Sequence, residues 1–132
     1  MLSGRCYCGS VRYEFEEQGV RHALCHCRDC QRHAGAPVVG WALVPMDQLK
    51  ITGEVVSYAS SENGRREFCP KCGTSLFYRN AVIFPKHVDV QSATLDNPDA
   101  LPPMAQIQTA ERLNWMASLH ELPSFERYPS AG

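Results

Sequence analysis

The densest chemistry in the chain is Cys25-His26-Cys27-Arg28-Asp29-Cys30, three thiols at C-x-C-x-x-C spacing. Thiols this close in sequence share a metal ion more readily than they form structural disulfides, and the odd total of seven cysteines argues the same way. The other four fall into two pairs, Cys6-Tyr7-Cys8 and Cys69-Pro70-Lys71-Cys72-Gly73. Zinc held by sulfur takes a tetrahedron of four ligands, so the thiols divide as four plus three. The later pair has the make-up of a zinc knuckle: Pro70 sets the turn after the first ligand, and Gly73 lets backbone amides approach the second sulfur. It needs two further ligands, and Cys6 and Cys8 are those left if the triplet acts as a unit. Cys6, Cys8, Cys69 and Cys72 are therefore expected to hold a structural zinc. A redox Cys-x-x-Cys would instead need a strand-helix-strand setting that Gly73-Thr74-Ser75-Leu76 does not provide.

Cys25, Cys27 and Cys30 then supply three sulfurs to a second ion, which makes two Zn²⁺ per chain. An open fourth position is what separates catalytic from structural zinc, because water or substrate must reach the metal. A small-molecule thiol suits such a site, since a soft sulfur ligand is bound and held as a nucleophilic thiolate. Two other readings of the triplet stay open. His33 is placed to close the tetrahedron, or the thiols serve as a redox switch, oxidising as zinc leaves. His26 and Arg28 are the candidate donors near the reacting atoms.

Positioning these groups falls to a single domain, 1–132, whose 44% hydrophobic and 20% charged content is that of a globular chain. The fold class is mainly β with little helix. Ser10–Glu16 alternates apolar and polar residues, Val38–Val44 is too apolar to be exposed on either face, and Val55–Tyr58 and His87–Ala93 read as further strands. Ser75–Arg79 and Val82–Phe84 are expected to pair across Asn80, and Gln106–Gln108 to form a last strand. Gln31–Gly35 reads as a short helical turn closed by glycine, so the triplet is expected on a loop or turn between strands. Leu113, Met116 and Ala117 have the spacing of a short helix, and Trp41 and Trp115 are both expected in the core. The formal charge of −1 offers no basic field for nucleic acid or anionic membranes, and the start of the chain has no apolar leader. A cytoplasmic location is expected, with neither nucleic-acid nor membrane partners.

Together, Cys6-x-Cys8-Gly9-x-Val11, Cys25-His26-Cys27-x-x-Cys30-Gln31-x-x-x-Gly35 and Phe68-Cys69-x-x-Cys72-Gly73-Thr74 resemble the glutathione-dependent formaldehyde-activating enzyme family, which also includes centromere protein V. Leu95-Asp96 and Trp115 extend the resemblance along most of the chain. It implies a β-tent fold of small antiparallel sheets organised around a structural zinc on Cys6, Cys8, Cys69 and Cys72, with a catalytic zinc on Cys25, Cys27 and Cys30. The activity implied is that of a carbon-sulfur lyase, joining glutathione and formaldehyde as S-(hydroxymethyl)glutathione or running the reverse. Arg12, Arg65, Arg66, Lys86 and Arg112 are the candidates for holding the glutathione carboxylates. The competing class is a non-enzymatic, zinc-stabilised binding module.

Overall fold

The computed structural model describes residues 1–129, and these form ten strands, one α-helix and five short 3₁₀ segments. β1 (Leu2–Arg5), β2 (Arg12–Phe15) and β5 (Lys50–Thr52) make a three-stranded antiparallel sheet with β2 in the middle. The remaining strands are β3 (Arg21–Cys25), β4 (Val39–Pro45), β6 (Val56–Ala59), β7 (Gly64–Phe68), β8 (Ser75–Asn80), β9 (His87–Gln91) and β10 (Ala105–Ile107). They form one seven-stranded sheet in the order β10-β3-β4-β9-β8-β7-β6. Every pairing is antiparallel except β10 with β3. The mainly β architecture of antiparallel sheets expected from the sequence is thus the one the chain adopts.

A strand's side chains alternate between its two faces, and here each face of the large sheet has its own task. On β4, Ala42 and Val44 join Val88 and Val90 of β9 and Phe77 of β8 in the main core. Tyr13 and Phe15 of the small sheet close that core, with the Tyr13 ring set edge-on to Phe77. The residues of opposite parity, Val39 and Trp41, form a second cluster with Cys25 and Cys30. One face therefore stabilises the fold, and the other presents the triplet.

Several expectations are corrected. Val82–Phe84 is not a strand: Asn80 Oδ1 accepts hydrogen bonds from the backbone N–H groups of Val82 and Ile83 at 3.1 and 3.0 Å, which turns the chain there and leaves both side chains exposed. Leu113–Ala117 does not form an α-helix, because the segment Asn114–Glu121 is 3₁₀ in type with a break at Ser118. Trp115 is 51% exposed, outside the core, whereas Trp41 is 5% exposed. The triplet is not confined to a loop, since Cys25 ends β3 and Cys30 lies inside the helix. Strands β1, β3, β5 and β7 add to those named from the sequence. No helix among the described residues is long and apolar enough to cross a membrane.

Candidate metal centres and the cavity beside the triplet

The first centre is assembled from two loops of the same design. In one, Gly9 N–H donates to the Cys6 carbonyl at 3.1 Å; in the other, Gly73 N–H donates to the Cys69 carbonyl at 2.9 Å. Gly9 and Gly73 have φ of 82° and 77°, in the left-handed region where glycine carries no Cβ penalty. Tyr7 N–H donates to Thr74 Oγ1 at 3.0 Å, tying one loop to the other. The result brings Cys6, Cys8, Cys69 and Cys72 together with all four sulfurs within 4.8 Å of one another. The donor set fits zinc. The Cys6–Cys8 and Cys8–Cys69 sulfurs are 3.7 and 3.8 Å apart, and a tetrahedron with Zn–S bonds near 2.3 Å has edges of about 3.8 Å. Backbone N–H groups of Val11, Lys71 and Cys72 point at sulfur, at 3.3, 3.4 and 3.5 Å, as they do around thiolates.

The second centre is held by a strand end and a helix start. Cys25 closes β3, Cys27 is the N-cap of α1 (Arg28–Ala34), and its sulfur accepts the Cys30 N–H at 3.3 Å. Gly35, with φ 65°, terminates the helix by donating to the Gln31 carbonyl at 2.8 Å. These constraints bring Cys25, Cys27 and Cys30 within 4.8 Å of one another, a three-thiol set that also fits a soft divalent ion. His33 is not part of it: its Nδ1 lies 3.2 Å from Ser75 Oγ and its ring packs beside Phe68. Hydrogen bonding among the three thiols is unequal. The Cys30 thiol is lowered to about 5, chiefly by the hydrogen bond from Cys25 and against the effect of burial, with help from Cys27, Trp41 and the charge of Arg66. Cys25 is pushed up by the same partnership and by burial.

The triplet forms part of the wall of a cavity of about 360 Å³. Buried residues Trp41 and Arg66 lie beside the sulfurs, Tyr78 and Phe84 supply aromatic wall, and Asp29, Gln108 and Glu111 are exposed at the mouth. Trp41 Nε1–H donates to Cys30 Sγ at 3.4 Å. Both terminal nitrogens of Arg66 donate to the same sulfur at 3.7 Å. Asp89 also lines the cavity, and its carboxyl is raised to about 7 by burial first and then by the charge of Cys30, with Arg66 opposing.

The two candidate donors next to the cysteines do not line this cavity. His26 is 1% exposed, and its Nε2 meets Gln106 Oε1 on β10 at 2.9 Å. The Arg28 guanidinium bonds to Gln31 Oε1, while its backbone N–H donates to Glu111 Oε1 at 3.0 Å. Of the basic residues singled out for carboxylates, Arg66 alone lines the cavity. Its signal was a charge at inward parity on a strand, one position from the exposed Arg65 and in register with Tyr78, which is in turn in register with Asp89. The mouth residues after β10 carry no such signal.

Two cysteine centres on a mainly β scaffold, one of them with all its thiols on the wall of a cavity, define the class: a two-site cysteine protein of antiparallel sheets. The chain belongs to the glutathione-dependent formaldehyde-activating enzyme family, whose model matches residues 1–111. An uncharacterized lyase of Schizosaccharomyces pombe is 27% identical over 75 residues, 57% of this chain and 55% of the relative, so the chain spans about half the length of that curated relative. A Rhodobacter sphaeroides protein of known crystal structure superposes with a TM-score of 0.60 at 26% identity, covering 79% of this chain and 98% of that one.

Proposed function

We propose that the protein is a zinc-dependent carbon-sulfur lyase-type enzyme acting on a thiol adduct, as in the formation of S-(hydroxymethyl)glutathione from glutathione and formaldehyde. The observation behind this reading is an asymmetry. Four sulfurs make a complete tetrahedral set by themselves, while three converge at the wall of a cavity. Zinc on Cys25, Cys27 and Cys30 would supply the means of keeping a substrate sulfur ionised at neutral pH.

The chain's own residues shape what happens there. Trp41 and Arg66 donate to Cys30 Sγ and offset negative charge among the thiolates. Trp41, Tyr78 and Phe84 wall the cavity with aromatic surface, which limits water and leaves room for a small carbonyl compound. Asp29 and Glu111 at the mouth suit the ammonium group of a γ-glutamyl thiol. His26 and Arg28 act from behind the cavity: His26 fixes the ligand turn to Gln106, and Arg28 fixes it to Gln31 and Glu111. His26→Ala and Arg28→Ala are therefore expected to slow turnover by loosening the triplet, and unchanged turnover in both would remove them from the reaction.

The deciding experiment incubates the metal-loaded protein with glutathione and ¹³C-formaldehyde and compares exchange rates by NMR with and without protein. The protein-free rate is a required control, since thiols and formaldehyde combine unaided. Acceleration is expected, and its absence would sink the proposed activity.

A further inference from the structure

The chain exposes more surface than a monomer of its mass. A folded monomer of 14.8 kDa presents about 7,000 Å² to solvent, whereas this chain presents 8704 Å². The excess, about 1,700 Å², is what one partner gives up in a large, permanent interface. An arm that follows β10 carries much exposed surface: across residues 102–129 no side chain is buried. Past Arg112 the described residues hydrogen-bond only within the arm, as Met116 N–H does to the Leu113 carbonyl at 3.0 Å and Leu122 N–H to the Leu119 carbonyl at 3.1 Å. The body of the fold does not hold it. Leu119, Leu122, Phe125 and Tyr128 recur at every third position, the repeat of 3₁₀ and polyproline chains, and Leu122 has the polyproline angles φ −76° and ψ 142°. All four are exposed, Phe125 at 60% and Tyr128 at 97%. Trp115 is out of that phase.

A second apolar patch lies on the body of the same chain. The turn that Asn80 fixes after β8 holds out Val82 and Ile83, 69% and 73% exposed. Ile83 and the exposed Ile107 of β10 stand at the rim of the triplet cavity. We infer that the arm is the exchange element of a two-fold dimer, its apolar stripe lying on the rim of Ile83 and Ile107 in a second copy. Stripe and rim are both uncovered within one chain, so each copy carries both halves of the contact, and two copies satisfy each other in an assembly that closes. A foreign partner on the arm would leave the rim bare. The mouth of each triplet cavity is then shaped by both copies.

Light scattering on the metal-loaded full chain at micromolar concentration is expected to give twice 14.8 kDa. Leu122→Glu combined with Phe125→Glu is expected to raise the dissociation constant by about 100-fold or more. The variant should keep the parent's circular dichroism spectrum and metal content, since both side chains lie outside the core. Ile83→Glu, on the other half of the contact, should weaken the dimer likewise. In a mixture of ¹³C-labelled and unlabelled copies, isotope-filtered NOEs should join Phe125 to Ile83 of the partner subunit. A monomeric parent would overturn the inference, whether or not it then bound another protein or a membrane. So would a dimer that survives the arm substitutions or Ile83→Glu, or a dimeric parent without those NOEs. Should a variant misfold, the mass and the NOEs of the parent still decide. The dimer requires no particular chemistry at the triplet, so loss of the proposed exchange activity and loss of the dimer are separate results.

Discussion

The two cysteine centres are made of the same atom and differ in what surrounds it. Around Cys6, Cys8, Cys69 and Cys72, the partners are backbone N–H groups and the hydroxyls of Ser10 and Thr74. These neutral donors settle sulfur charge and leave nothing reactive nearby. Around Cys25, Cys27 and Cys30, the partners include an indole and a guanidinium, and all three thiols line a cavity, whereas of the first four only Cys6 borders one. Ligand number alone does not explain the contrast. The first centre joins loops 61 residues apart and connects the small sheet to the large one. The second is local, spanning β3 and the first turn of α1, so little of the fold depends on it. A site that closes a long loop is suited to stability, and one that closes a short loop is free to serve chemistry.

The largest effect should follow from breaking the long-range centre. Cys69→Ala removes a fully buried thiol of the four-cysteine cluster and is expected to cost about 5 kcal/mol or more, enough to unfold a chain of this size. Circular dichroism with thermal melting would show it. A variant that melts like the parent would mean the four-cysteine centre is not structural.

Cys27→Ser should do the opposite. Serine is a good helix N-cap and can still accept the Cys30 N–H that Cys27 accepts, so the melting temperature should fall by no more than about 1 kcal/mol's worth. Metal analysis should find one zinc lost of two, with exchange activity down by about 100-fold or more. Graded chelation of the parent tests the same contrast without mutation. The triplet ion should leave first, with activity, and the clamp ion only with unfolding. Simultaneous loss would erase the distinction between the centres.

The partition of cysteines was legible because ligand spacing is a local property and the knuckle loops are built from adjacent residues. Strand β4 was legible for its unbroken apolar run. Strand β1 was not, because Gly4 gives its face no side chain to read. A Cβ there would run into the Tyr13 hydroxyl and approach the Thr94 carbonyl oxygen at 2.6 Å. The mouth of the cavity was hidden for another reason. β10 pairs in parallel with β3, and Gln106 meets His26 across 80 residues of chain. Three residues too few to show a period cannot announce such a partner. Gln108, the described non-glycine residue with positive φ, at 56°, turns the chain at the cavity rim without any glycine or asparagine to signal it.

The smallest expected effects come from the two tryptophans, which look alike in the sequence. Trp41 packs with Cys25, Cys30 and Val39, and its indole N–H donates to Cys30. Trp41→Phe keeps most of the apolar contact and deletes that donor, so the expected cost is about 1 kcal/mol, together with a measurable drop in exchange rate as the sulfur loses a partner. Trp115 lies on a 3₁₀ segment, half exposed, beyond the residues that the family model matches. Trp115→Ala should change stability by less than about 0.5 kcal/mol and leave the exchange rate untouched. Chemical denaturation and the ¹³C exchange assay on both variants would check this pair. Equal effects would mean that the indole at Cys30 contributes only bulk, and that the difference between the two cysteine centres lies in the arginine and the cavity alone.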